Sequence, residues 1–160
     1  MKDFTSALEA LADGGVDFII VGGIAAVLHG AARPTYDLDI VYARTPDNLT
    51  RLVATLASSK PYLRGAPPGL PFRWNVETLS AGLNFTLITE LGDLDLLGEV
   101  TGGGRFEDVV KHTQQVEMFG RTFRVVTLDG LIRLKTAAGR SKDLNALAEL
   151  EALLEERDRE

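Results

Sequence analysis

The chain has 160 residues, 45% hydrophobic and 25% charged, an ordinary composition for one globular domain able to bury a core. Cysteine is absent, which excludes disulfide frameworks, thiolate nucleophiles and cysteine-based zinc sites. A formal net charge of −6 is opposite to that of a domain gripping duplex nucleic acid along a whole face, so strong duplex DNA binding is not expected. The N-terminus lacks the basic-then-apolar layout of a signal peptide. The longest apolar run, 18–28, is too short to span a bilayer and is broken by Gly22-Gly23. A cytoplasmic protein without a membrane segment, one domain over residues 1–160, is the expectation.

In chain order, Phe4, Ala7, Leu8 and Leu11 recur at helical spacing until Gly14-Gly15 stop them. Residues 16–21 form a β-branched and aromatic run that suits a buried strand. Gly22-Gly23 then turn the chain into a short apolar helix that ends at Gly30. Residues 36–42 alternate like a strand. Thr45-Pro46-Asp47 supplies a capping hydroxyl, a first-turn proline and an acid beside the dipole, a helix start whose stripe is Leu49, Leu52, Val53 and Leu56. Prolines and glycines mark 60–74 as an irregular loop, long for a compact domain. Strands are predicted at 83–89 and 94–97, a glycine break at 102–104, a helix at 106–111, and a hairpin from 116–119 and 122–126. Thr127 caps a helix to Thr136 that Gly139 ends, and a last helix runs over about 142–156.

Asp37 and Asp39 stand two residues apart on a predicted strand, so both side chains leave the same face, opposite apolar Leu38 and Ile40. Asp93-Leu94-Asp95-Leu96 repeats the pattern on a later strand. Converging carboxylates repel, and burying them unpaired is costly. A divalent cation relieves both problems: Mg²⁺ takes one or two hard carboxylate oxygens along with water and phosphates, and paired metals roughly 3.5–4 Å apart activate an attacking oxygen and steady a leaving one. Upstream, Gly22-Gly23 joins a buried strand to a helix N-terminus, where unpaired amides and the helix dipole favour phosphate.

Val21-Gly22-Gly23 followed by Asp37-Leu38-Asp39-Ile40 resembles the signature of the DNA polymerase β-like nucleotidyltransferase superfamily. Gly22-Gly23-Ile-Ala-Ala-Val-Leu-His29-Gly30, with Arg33-Pro-Thr35-Tyr-Asp37-Leu-Asp39, is similar to its small bacterial branch of minimal, abortive-infection and toxin–antitoxin nucleotidyltransferases. Gly92-Asp-Leu-Asp95 looks like the third-acid strand, with Asp93 an exposed neighbour, and residues 131–144 resemble the C-terminal helical segment. The resemblance covers about 16–150 and is weakest over 58–82. It implies an α/β (α+β) nucleotidyltransferase fold, a mixed central sheet flanked by helices with a C-terminal helical segment. It further implies transfer of NMP from an NTP to an acceptor hydroxyl, with release of pyrophosphate. Asp37, Asp39 and Asp95 would be the catalytic metal ligands for Mg²⁺ or Mn²⁺, and Gly22 and Gly23 would cradle the triphosphate. In one departure, Gly23 stands where many members carry serine, which removes a hydroxyl contact to phosphate.

Arg33 and Thr35, on the turn into Asp37, and Lys135 and Arg140, in a short basic stretch with Arg133 and Lys142, complete the expected nucleotide-binding set. Lys142 and Asp143 read as a surface pair. His29 and His112 lack metal-ligand spacing, and His29 reads as a helix-end residue rather than a catalyst. Trp74 and Tyr36 suit core or rim positions, or stacking on a base. No serine lies in a nucleophile-elbow context. The acceptor would be a protein, the 3′ end of a tRNA or a small hydroxylated molecule, and a partner chain or homodimer would complete the site. The alternative is a catalytically weak module of the same fold, acting as an antitoxin or regulatory partner. A third option is metal-dependent phosphoester hydrolysis on the same acids.

Overall fold

The computed structural model describes residues 4–159, apart from the side chains of 141–143. Helix α1 (Thr5–Asp13) buries Ala7, Leu8 and Leu11, as their spacing predicts. It leads to β1 (Phe18–Val21), buried along its whole length, and directly into α2 (Gly22–Leu28). Strand β2 (Asp37–Tyr42) is followed by α3 (Pro46–Leu56), where the Thr45 hydroxyl accepts the Asn48 N–H as a cap. Asn48 is itself fully buried, yet satisfied. Its amide bridges Asp17 and Ala43, joining the start of β1 to the end of β2.

The stretch expected to be irregular is only partly so. It carries a two-residue strand, β3 (Tyr62–Leu63), and beyond it α4 (Val76–Ala81), capped by Asn75. Strands β4 (Asn84–Thr89) and β5 (Gly92–Leu97) follow as predicted. The glycine break at 102–104 lies inside a small hairpin of β6 (Glu99–Val100) and β7 (Gly104–Arg105). The next helix, α5 (Phe106–Val109), is shorter than expected, because the chain tightens into a 3₁₀ turn over Val110–His112. Strands β8 (Thr113–Met118) and β9 (Arg121–Val126) form the hairpin. Thr127 then caps α6 (Leu128–Ala138), Gly139 ends it in the left-handed conformation, and α7 (Ser141–Asp158) closes the fold. Lys142 and Asp143 have side chains outside the described residues.

Seven strands form one mixed sheet in the order β3-β4-β5-β2-β1-β9-β8. β2 pairs parallel to β5 and β1 parallel to β9, while the other neighbours are antiparallel. One face carries Ile20, Leu38, Ile40, Leu87, Leu94 and Leu96, all buried, and packs on the layer of α1, α3 and α4. The other face carries α2, α5 and α6, with α7 packed on α6. His29 ties these helices together. Its Nε2 donates to the Val126 carbonyl at 2.8 Å, and Arg157 donates to its Nδ1 at 3.0 Å. Burial holds this imidazole below its ordinary pKa, against the Val126 bond and with help from the Arg157 charge. It is a neutral structural bolt, as the helix-end reading anticipates. Trp74 is also structural, its indole donating to the Val53 carbonyl. Among the described residues, no helix is long and apolar enough to cross a membrane.

Candidate functional site

Register assembles the acids. β2 and β5 run side by side with Asp37 opposite Asp93 and Asp39 opposite Asp95, while Val21 lies opposite Asp39 on the other flank. Because side chains alternate, the four carboxylates share the sheet face that turns away from Leu38 and Ile40. Asp37, Asp39 and Asp95 each offer an oxygen, all lying within 4.8 Å of one another. Asp93 is not the exposed neighbour the sequence suggests: its side chain is 22% accessible, against 20% for Asp95. The aligned parallel pairing of β2 with β5 draws both acids of β5 into the cluster.

Asp39 is the strained member. Burial, then the charges of Asp95 and Asp37 and a hydrogen bond with the Asp95 carboxyl, push its pKa up to about 8, against a lowering pull from Lys135. A hydrogen bond between two carboxyls favours the protonated form, the same direction as burial and the neighbouring charges push Asp39. Even so, the buried Asp39 Oδ1 has no hydrogen-bond partner. Gly22 explains how Asp39 fits at all. A Cβ on Gly22 would lie 2.1 Å from Asp39 Oδ2, and its φ of +66° is one that side chains rarely adopt. The start of α2 therefore lies against the carboxylate, and no side chain caps that helix.

A residue missed by the sequence reading completes the cluster. Arg64 follows β3, and its N–H donates to the Thr86 carbonyl. Across the sheet, Thr86 lies opposite Asp95 and Asp95 opposite Asp39, so Arg64, Asp95 and Asp39 fall on one row. The guanidinium reaches over β4: Nη1 donates to the Leu87 carbonyl at 3.2 Å, and Nη2 donates to Asp95 Oδ1 at 2.6 Å. Nη2 also lies 3.9 Å from Asp37 Oδ2, and Nη1 lies 3.8 Å from Asp93 Oδ2. Partial burial works against this guanidinium's charge, but the Asp95 bond and the three nearby carboxylates outweigh it and raise its pKa.

No family model matches the chain, and neither does any curated protein. Solved structures do. A lincosamide antibiotic adenylyltransferase, LnuA, bound to lincomycin, superposes with a TM-score of 0.60 at 15% identity, covering 92% of this chain and 94% of that one. A Thermotoga maritima protein assigned to the nucleotidyltransferases superposes with a TM-score of 0.52 at 14% identity, covering 98% and 94%. The chain has the nucleotidyltransferase fold.

Within this nucleotidyltransferase fold, the remaining expected residues divide. Lys135 and Arg140 line a cleft of about 390 Å³ together with Gly22 and Asp39. Asn84, Glu99 and Thr101, none singled out by the sequence, also line it. Thr35 is buried; its hydroxyl donates to the Asp37 carbonyl at 3.1 Å. That hydroxyl oxygen also lies 2.5 Å from where a Cβ on Gly23 would stand, so Thr35 fills the space a side chain at 23 would need. Arg33 turns to α7, where it donates to the Asn145 carbonyl at 2.9 Å and lies 3.6 Å from Glu149. Arg133 borders a separate pocket with Lys111 and His112. Tyr36 is exposed beside the acids.

Proposed function

We propose that the chain transfers a nucleotidyl group from an NTP, carried with Mg²⁺ or Mn²⁺, to an acceptor hydroxyl and releases pyrophosphate. The observation that carries this reading is the convergence of Asp37, Asp39 and Asp95 beside the uncapped, side-chain-free start of α2, with one buried carboxylate oxygen left unpartnered. Hard oxygen donors with surplus negative charge fit a divalent cation on their own chemistry. When bound, such a cation neutralises charge on the phosphates and on the attacking oxygen.

The chain's own residues then divide the work. Asp37, Asp39 and Asp95 hold the cation, and Asp95 also takes the proton from the acceptor hydroxyl. The acceptor oxygen bonds to the α-phosphorus as the bond to the bridging oxygen of the β-phosphate breaks. The amides of Gly22 and Gly23 face the triphosphate. Lys135 and Arg140, on the cleft wall, meet the charge that builds on pyrophosphate. Thr35 shapes the turn into Asp37, and Arg33 holds α7 beside the cleft. A small hydroxylated acceptor suits a cleft of this size, and the likeness to an enzyme that adenylylates lincosamides supports that choice over a tRNA or a protein. A cytoplasmic setting and completion of the site by a second chain belong to the same proposal.

A second reading, a weakly catalytic module acting as an antitoxin or regulatory partner, is favoured by Arg64 sitting on Asp95 and by Thr35 closing the space at Gly23. Calorimetric titration of each NTP, with and without Mg²⁺ or Mn²⁺, into the wild type and Asp37→Asn separates the two. Nucleotide binding that needs both the metal and Asp37, together with pyrophosphate release when an acceptor is labelled, supports transfer. Absence of binding by any nucleotide sinks the enzyme reading and leaves the partner module.

A further inference from the structure

Arg64 is anchored by more than the acids. Its backbone N–H is committed to Thr86 and its Nη1 to the Leu87 carbonyl, so β4 aims the guanidinium whether or not anything else occupies the site. From that anchor it touches Asp95 at 2.6 Å and stands within 4 Å of both Asp37 and Asp93. Two of the three acids that could share a cation thus already face a fixed positive charge, whereas Asp39 Oδ1 remains buried without a partner. A Mg²⁺ ion about 2.0–2.1 Å from its ligand oxygens would sit close to the guanidinium, where like charges repel.

We propose that Arg64 is the resident counter-ion of the acid cluster, and that a divalent cation binds in competition with it. This rests on the reading of Asp37, Asp39 and Asp95 as cation ligands. In the metal-free protein Arg64 holds Asp95 by its Oδ1 edge and offsets part of the charge that would otherwise drive β2 and β5 apart. Cation entry loosens the contact between Nη2 and Asp95, while the Leu87 bond keeps the guanidinium at the rim. There it can meet the negative charge of an incoming phosphate. The bare cation therefore binds weakly, and cation and nucleotide bind best together. Arg64 acts as a positioning residue for Asp95 and does not itself hold the metal.

The test is Mn²⁺ alone, titrated by electron paramagnetic resonance into the full chain as wild type, Arg64→Gln and Arg64→Lys. Arg64→Gln should bind Mn²⁺ at least tenfold more tightly than wild type, whereas Arg64→Lys, which keeps the charge, should stay within a few-fold. Equal or weaker binding by Arg64→Gln overturns the competition. Absence of Mn²⁺ binding by both wild type and Arg64→Gln instead overturns the cation reading of the acids. A measurement on the wild type covers the case in which Arg64→Gln does not fold. The side-chain N–H resonances of Arg64 should move as Mg²⁺ is added, and resonances that stay fixed while Mg²⁺ binds would overturn the inference.

Discussion

Arg64 and Arg121 each face more than one acid, and they do so to different ends. Arg121 on β9 clamps α1: Nε and Nη2 take both oxygens of Asp13 at 2.7 and 2.8 Å, and Nη1 takes Glu9 at 2.7 Å. Each donor has an acceptor, the geometry is bidentate, and the acids are solvated, with the Asp13 side chain 60% accessible. Arg64 faces more acids than it can match: Asp95 is bonded, Asp37 and Asp93 lie at 3.8–3.9 Å, and Asp39 lies behind them with a buried oxygen unpartnered. The Arg121 cluster sets one cation against two solvated acids, bonds to both and joins two elements. The Arg64 cluster sets one cation against four acids, bonds to one of them and leaves a buried carboxylate oxygen unpartnered. An ion cluster that does not close on itself has room for a ligand, and that contrast separates the candidate site from an ordinary surface clamp.

The sharpest way to break the contrast is to remove the excess. Asp39→Asn should abolish metal-dependent nucleotide binding, by about 100-fold or more, yet raise the stability of the metal-free protein by about 1–3 kcal/mol near pH 8–9. The sign follows from Asp39 itself. Its pKa in the folded state, about 8, lies above the unfolded value of 3.8, so its contribution is fully present below pH 3.8 and is lost as pH rises through about 8. Urea denaturation of the wild type should therefore show a loss of stability between about pH 4 and pH 8, levelling off above, that Mg²⁺ restores and Asp39→Asn lacks. Urea midpoints that fall equally for both proteins over that range would remove the strain assigned to Asp39.

Smaller in effect is the glycine beside the cluster. Gly23→Ser restores the hydroxyl that related signatures carry but places its Cβ against Thr35 Oγ1 at 2.5 Å, and should cost roughly 1–3 kcal/mol. Thr35→Ala in the same chain should recover much of that loss, read as a coupling in a double-mutant cycle of urea midpoints. The Arg121 clamp gives the smallest effect. Arg121→Gln should lower the melting temperature less than Gly23→Ser does, the difference should vanish in high salt, and Mn²⁺ affinity should not change.

What the sequence made legible is what depends on neighbours along the chain. The caps at Thr45 and Thr127, the alternation of residues 36–42 and the glycine stop at Gly139 are local signals, and the structure carries each one. The acids on one strand face were equally plain, because Asp37 and Asp39 need only a period of two. Arg64 was not. Strand β3 is two residues long, lies among prolines and glycines, and exists by pairing with β4, so nothing around Arg64 announces a strand or a direction. The same non-locality hid the partners of Arg33. Its place on the turn into Asp37 suggested phosphate, and its partners on α7, more than a hundred residues away, are brought to it by the fold alone. Asp93 was underrated for want of the register that sets it opposite Asp37.

The parallel pairing of β2 with β5 has a consequence for how the site comes into being. Asp37 and Asp39 leave a ribosome well before Asp95, and the segment between them holds α3, β3, α4 and β4. Until β5 has been made and has slid in beside β2, the growing chain carries two acids on an open edge and no cage around them. Chains fold from the N-terminus during synthesis, and long-range parallel pairings form late. A nascent fragment that ends before β5 thus carries Asp37 and Asp39 without Asp95, and the convergence of the three acids must wait for β5.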